Sequence, residues 1–214
     1  MTLSAETSSG GRPQPARPRR YGELTQNDVV EAGLRLTRRS GFANLSMRKL
    51  AAELGCPSMN AYHYVRGKRE LLDLIGDAVL GEVPHPTGGF SWERQLIELF
   101  EGGREVLLRY PGVAQHLLRR TEGLPNEVRL YEAITRILGA AGFDREVSDR
   151  AQRLMAYLLF GAVSSELATA EAADDPSTMA FSDDPEVFRF GLELLVEGLR
   201  QHLQKEGSPS PDHR

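Results

Sequence analysis

The chain is short of crosslinking and membrane-spanning material: one cysteine, one tryptophan, three lysines and no long apolar run. A lone Cys56 excludes a disulfide within the chain and fits a reducing compartment. No window approaches the roughly 20 consecutive apolar residues that a bilayer-spanning helix requires, so no membrane partner is expected. The opening MTLSAETSSGGRPQPARPRR has no apolar h-region, which argues against a secretory signal and makes a cytoplasmic protein the expectation. The five histidines, His63, His85, His116, His202 and His213, show neither HxxxH nor Cys/His spacing, so neither a structural metal nor a cofactor is expected. GxSxG, P-loop and paired-carboxylate signatures are also missing, and no catalytic residue is assigned. The doublets Asp174-Asp175 and Asp183-Asp184 read as solvated loop charge.

What is present is a chain of 214 residues, long enough to bury a core without crosslinks. Its net charge of −4 hides an asymmetry. Residues 1–80 carry 12 basic and 8 acidic side chains, whereas residues 81–214 carry 14 and 22. A basic N-terminal part joined to an acidic remainder suggests a polyanion-binding module attached to a part with another task. Arginine supplies 23 of the 26 cations, which suits a GC-rich bacterial genome.

Apolar residues recur at helical spacing almost throughout, with no convincing alternation of period two and no internal repeat, so the expected class is all-α. Residues 1–20, rich in Ser, Gly, Pro and Arg, read as a disordered basic arm. Thr25 caps a helix that carries Val29, Ala32 and Leu36 and stops at Gly41. Ser46 caps MRKLAAEL, which stops at Gly55. Pro57-Ser58 opens a third helix through Tyr64, and Gly67 separates it from a fourth over 68–80. Further helices are expected over 91–109, 113–120, 126–141, 144–171 and 186–204, with a loop at 173–185 and a polar tail at 205–214. The corresponding domains are a unit of three short helices over 21–67, a connecting helix over 68–80 and a larger helical domain over 81–204.

A helix closed by glycine, a short turn and a brief polar helix form a helix-turn-helix. Leu50, Ala51 and Leu54 would pack inward, while the third helix presents Ser58, Met59, Asn60 and His63 to a major groove wide enough for one helix. Asn suits adenine, Met a thymine methyl and the Arg48 guanidinium a guanine edge. Tyr62, Tyr64 and Lys68 suit phosphate oxygens, which set register without reading sequence. The alternative is that the two tyrosines only wedge between helices and the cations form a solvated first turn.

Residues 24–80 resemble the DNA-binding domain of the tetracycline-repressor family of bacterial transcriptional regulators. The pattern lies in Gly41-Phe42, LSMRKLAAELG (45–55) and AYHYVRGKRELL (61–72). SWERQLIELFEGGREVLLRYPG (91–112), LGAAGF (138–143) and FRFGLELLVEGLRQHL (188–203) extend it to the ligand-binding and dimerisation domain. The resemblance implies base-facing roles for Arg48, Ser58, Met59 and Asn60, and backbone-facing roles for Ser46, Met47, Tyr62, Tyr64 and Lys68. It also implies a double-stranded operator and a small-molecule effector as partners. The family holds a tetracycline–magnesium chelate partly by His and Glu. Those positions fall here on Leu117 and Ser165, and others on Leu99 and Gly103, so a larger or more apolar effector is expected.

The last helix is apolar on two faces: Phe188, Leu192, Leu195, Leu199 and Leu203 on one, and Val187, Phe190, Leu194 and Gly198 on the other. Two faces need two partners, the chain's own core and a second subunit. A homodimer joining this helix to the 151–163 segment in a four-helix bundle is expected, with Leu158, Ala162, Phe188, Leu192, Leu195 and Leu199 at the interface. Trp92, Phe100, His116, Tyr131, Tyr157 and Phe160 are candidate pocket residues. Arg17, Arg19 and Arg20 of the arm are candidates for minor-groove contact. The expected function is a ligand-responsive homodimeric repressor, not an enzyme, released from a palindromic operator by its effector. An all-α enzyme or carrier retaining a DNA-binding module, or a dimeric scaffold without a ligand, remain the alternatives.

Overall fold

A computed structural model describes residues 24–86, 88–120, 123–172 and 185–206. The arm with Arg17, Arg19 and Arg20, most of the 173–185 loop and the end of the polar tail lie outside the described residues. Nine α-helices and one short 3-10 turn make up the described fold, with no strand among them.

Helix α1 (Gln26–Ser40) begins at a capping box: Asp28 N–H donates to Thr25 Oγ1 at 3.2 Å, and the Asp28 carboxylate accepts from Thr25 N–H at 2.8 Å. It buries Val29, Ala32 and Leu36 and ends at Gly41, whose φ of 78° favours glycine. A 3-10 turn (Phe42–Asn44) leads to α2 (Met47–Leu54), capped by Ser46 Oγ on Lys49 N–H at 3.2 Å and closed by left-handed Gly55. Then come α3 (Ser58–Ala61) and α4 (Lys68–Gly81). The third helix is shorter than the sequence suggests, and residues 62–64 form a turn. Burial of both Ala61 and Val65 draws the chain inward before a second helical turn closes.

The remaining helices are α5 (Trp92–Leu108), α6 (Val113–Leu118), α7 (Pro125–Ala141), α8 (Arg145–Ala172) and α9 (Pro185–Glu206). Helix α9 thus runs two residues into the expected polar tail. Helix α4 packs against α1 on one side and against α5, α6 and α7 on the other, so one continuous core runs through the whole chain.

The contact between α1 and α4 depends on Gly33. A methyl there would overlap Cγ1 and Cδ1 of Ile75, which is fully buried. Gly33→Ala is therefore expected to cost about 1–3 kcal/mol through overpacking, read as a lowered midpoint in urea.

Three acidic side chains tie α4 to its surroundings. Asp73 accepts from Arg120 and lies 2.9 Å from His116 Nε2. Asp77 accepts from Asn126 N–H, in the first turn of α7, at 2.7 Å. Glu82, just past α4, pairs with Arg38 of α1 at 3.0 Å and with Arg109 at 3.3 Å, and accepts from the Tyr110 hydroxyl. Phe42 N–H also donates to Pro111 O at 2.8 Å, and the Phe42 ring packs on His116 with centroids 5.1 Å apart.

Candidate nucleic-acid interface and core cavity

The helix-turn-helix is held from beneath and left open above. Leu50, Leu54, Ala61 and Val65 are buried, and Glu53 of α2 receives Arg35 at 3.1 Å and Arg39 at 2.9 Å from α1. The hydrogen bond from Arg39 outweighs burial and, with Arg35, holds the Glu53 carboxyl below its usual range. On the outer side Arg48, Ser58, Met59, Tyr62, His63 and Lys68 are all exposed. Met59 retains 77% of its surface on this four-residue helix and is free to meet an apolar group such as a thymine methyl. Asn60 and Tyr64 are half-buried at the edge of this face, and Ser46 uses its hydroxyl as the α2 cap. Lys68 Nζ reaches Ala43 O at 3.4 Å.

Met47 departs from expectation. Its side chain is buried with Leu50 and Leu54, because the first turn of α2 rolls it toward the core, which leaves only its backbone N–H at the start of α2 to meet a phosphate.

A cavity of about 130 Å³ opens between α4, α5, α6, α7 and α8. Phe100, Tyr131 and Phe160 line it, as do Leu99, Gly103 and Leu117. Its buried walls include Leu80, Leu99, Phe100, Gly103, Leu107 and Leu117, whereas every lining residue that keeps some exposure belongs to α7 or α8. The mouth is therefore at the α7–α8 edge. The Tyr131 hydroxyl is already committed to Asp149.

Three candidate pocket residues lie elsewhere. Trp92 packs edge-on against Phe143, with centroids 5.3 Å apart. Tyr157 is 63% exposed on the outer face of α8. His116 faces α4, where it meets Asp73 and Phe42. Successive helical residues turn by about 100°, so His116 and the cavity-lining Leu117 point different ways.

Burial pushes the Asp73 carboxyl up, but hydrogen bonds from Arg120 and His116, together with their charges, outweigh it and hold the group below the ordinary Asp range. A depressed folded-state value adds stability above the unfolded-state pKa of about 4 and loses it as pH falls through the folded value. Asp73→Asn is expected to flatten the acid limb of a stability–pH curve below about pH 4, measured by thermal melting. At the neighbouring junction burial and Glu82 together push the Tyr110 hydroxyl up to about 12.

Similar proteins carry the same architecture. No protein-family model matches the chain. An HTH-type transcriptional regulator of Saccharopolyspora erythraea is 36% identical, over 78% of this chain and 74% of that protein. The class A tetracycline repressor of transposon 1721 in Escherichia coli is 33% identical, over 83% of this chain and 91% of the repressor. The chain belongs to the tetracycline-repressor family. Among solved structures, Mycobacterium smegmatis BioQ superposes with a TM-score of 0.73 at 30% identity, over 84% of this chain and 99% of BioQ. BioQ with its double-stranded DNA operator gives a TM-score of 0.63 at 27% identity, over 84% of this chain and all (100%) of that one. Streptomyces coelicolor ActR in complex with actinorhodin gives 0.72 at 26% identity, over 85% and 97% of the two chains.

This regulator also has an apolar outer surface. Leu154 and Tyr157 of α8 and Val187, Phe190 and Leu194 of α9 are each more than half exposed. Phe188 and Leu192, expected at a subunit interface, instead point into the chain's own core and are buried. Of the two apolar faces of α9, the core takes the one carrying Phe188, Leu192 and Val196 because these close onto α5 and α8. Leu158, Ala162, Leu195 and Leu199 are half-buried between the two. Among the described residues no helix is long and apolar enough to cross a membrane.

Sequence reasoning missed the Asp73–Arg120 pair, the half-buried Arg104–Glu166 pair and the cavity residues Glu127 and Gln152. Charged residues on amphipathic helices look solvated until a partner 47 or 62 positions away is brought beside them. The outward face of α9 was legible in its spacing, but its orientation was not.

Proposed function

We propose that this chain is a cytoplasmic, homodimeric repressor whose paired α3 helices enter successive major grooves of a palindromic operator, and that an effector in the core cavity releases it. The observation that carries the reading is the open α2–α3 surface, which presents Arg48, Ser58, Met59 and His63 outward on a firmly packed base. Dimerisation through the outer α8–α9 face supports it, since that face exposes five large apolar residues and two recognition helices must lie about 34–36 Å apart. Operator binding by BioQ and actinorhodin binding by ActR support the two halves of the reading.

Helix α4 supports a route between the two sites. Its Leu80, with Val83 just beyond it, lines the cavity, and its Ile75 packs directly on Gly33 of α1. A ligand that displaces Leu80 acts on the helix that supports the DNA-binding unit. Coupling of about 2–3 kcal/mol would change operator affinity by roughly 30- to 150-fold. At the tetracycline–magnesium positions Leu117 and Ser165 supply neither an imidazole nor a carboxylate. The adjacent His116 and Glu166 are engaged with Asp73 and Arg104, which supports an effector other than that chelate.

Selecting bound DNA from a random pool tests the reading. Arg48→Ala and Asn60→Ala are expected to relax preference at discrete base pairs, each at a cost of about 1–3 kcal/mol. Lys68→Ala is expected to weaken all sequences alike and to lower the salt slope by about one. Recovery of no preferred sequence would sink the proposal.

A further inference from the structure

The cavity's charge inventory is one-sided. Its lining contains no Arg, Lys or His, and its one ionisable acid is Glu127. The Glu127 carboxylate accepts from Leu124 N–H at 3.1 Å and pairs with no cation among the described residues. Of the cations next to lining residues, Arg104, beside Gly103, holds Glu166, and His116, beside Leu117, meets Asp73, while Arg129 and Arg153, beside Leu130 and Gln152, are exposed to solvent. Gln152 also lines the cavity; its Oε1 has no hydrogen-bond partner and almost no accessible surface, so a ligand meets it only when the side-chain amide turns toward the cavity. A buried acceptor left unmade costs free energy, so a ligand that donates to it gains what the empty protein forfeits. The rest of the wall is apolar, with the rings of Phe100, Tyr131 and Phe160 suited to aromatic contact.

We propose that the effector is a non-anionic aromatic molecule whose polar group is a hydroxyl or ammonium donor, received by Gln152 Oε1 and the Glu127 carboxylate. This rests on the reading of the cavity as the effector site. At about 130 Å³ the enclosed part suits one aromatic ring, by comparison with a cavity of about 150 Å³ that holds benzene, and a second ring extends to the α7–α8 mouth. An anion is disfavoured because it would shed its hydration beside Glu127 in a cavity whose lining carries no cation to replace it.

Four probes with one naphthyl body separate these terms by titration calorimetry on the full chain: 1-naphthylmethanol, 1-naphthylmethylamine, 1-methylnaphthalene and 1-naphthoate. The alcohol and the amine are expected to bind about tenfold or more tightly than the hydrocarbon, with no binding of naphthoate. Gln152→Leu should bring alcohol and hydrocarbon within about twofold of each other. Glu127→Gln, whose amide oxygen keeps the bond to Leu124 N–H, should bring the amine down to the alcohol. Thermal melting checks that both variants fold. Binding without a donor preference, or tightest binding of naphthoate, overturns the proposed ligand class but leaves the cavity as the effector site. Failure of all four probes overturns both.

Discussion

Placing glutamate at Phe190 and Leu194 together is expected to yield a folded monomer that no longer holds its operator. Both residues are more than half exposed on α9, so the substitutions remove little packing within the chain, and helicity by circular dichroism should be unchanged. In a dimer the same positions would bury charge against an apolar partner helix, a penalty of several kcal/mol without a pairing cation. The operator would then be gripped by one recognition helix at a time. Losing the second attachment removes the effective-concentration gain and is expected to lower operator affinity by about 10²–10⁴-fold. Sedimentation velocity and a DNA titration check the two steps separately. A variant that sediments as a dimer would show that the outer face of α8 and α9 is not the subunit contact.

Removing one partner of the Arg104–Glu166 pair is expected to be strongly destabilising. Arg104 of α5 reaches Glu166 of α8 through Nε at 2.6 Å and through a second nitrogen, and the two side chains keep only 18% and 12% of their surface. Glu166→Ala would leave the guanidinium with little water and no counter-charge, costing about 3–5 kcal/mol and roughly 6–20 °C of melting temperature. The pair Arg104→Met with Glu166→Leu should recover most of that loss, because exchanging a buried ion pair for apolar side chains of similar size is often neutral. A Glu166→Ala variant that melts with the parent would mean that water reaches the guanidinium freely. A double variant as unstable as the single one would place the cost in shape rather than in unpaired charge.

These two sites mark where reading the chain alone stops. The two apolar stripes of α9 are visible as spacing, yet spacing alone puts Phe188 and Leu192 at the interface, whereas the fold buries them internally. Nothing local distinguishes the stripes, since both repeat with the helical period and both are apolar. The choice is made by how α9 docks on α8, the helix before it, and on α5, which is distant in the chain. Phe100, Tyr131 and Phe160 line the cavity, whereas Trp92, His116 and Tyr157, equally plausible as aromatics, face Phe143, Asp73 and solvent.

Local chemistry determined the all-helical class, the caps at Thr25 and Ser46, the stops at Gly41 and Gly55, and the polar helix that follows. These features depend on residues within a turn or two of one another, where hydrogen bonding and φ preference act without help from the rest of the chain. Tertiary structure alone decided that Asp73, Asp77 and Glu82 anchor α4, that Glu166 answers Arg104, and that Gln152 is left with an unused acceptor beside a cavity. Burial and pairing at those positions arise only when helices far apart in sequence are pressed together, because that contact removes the water that would otherwise serve every polar group equally.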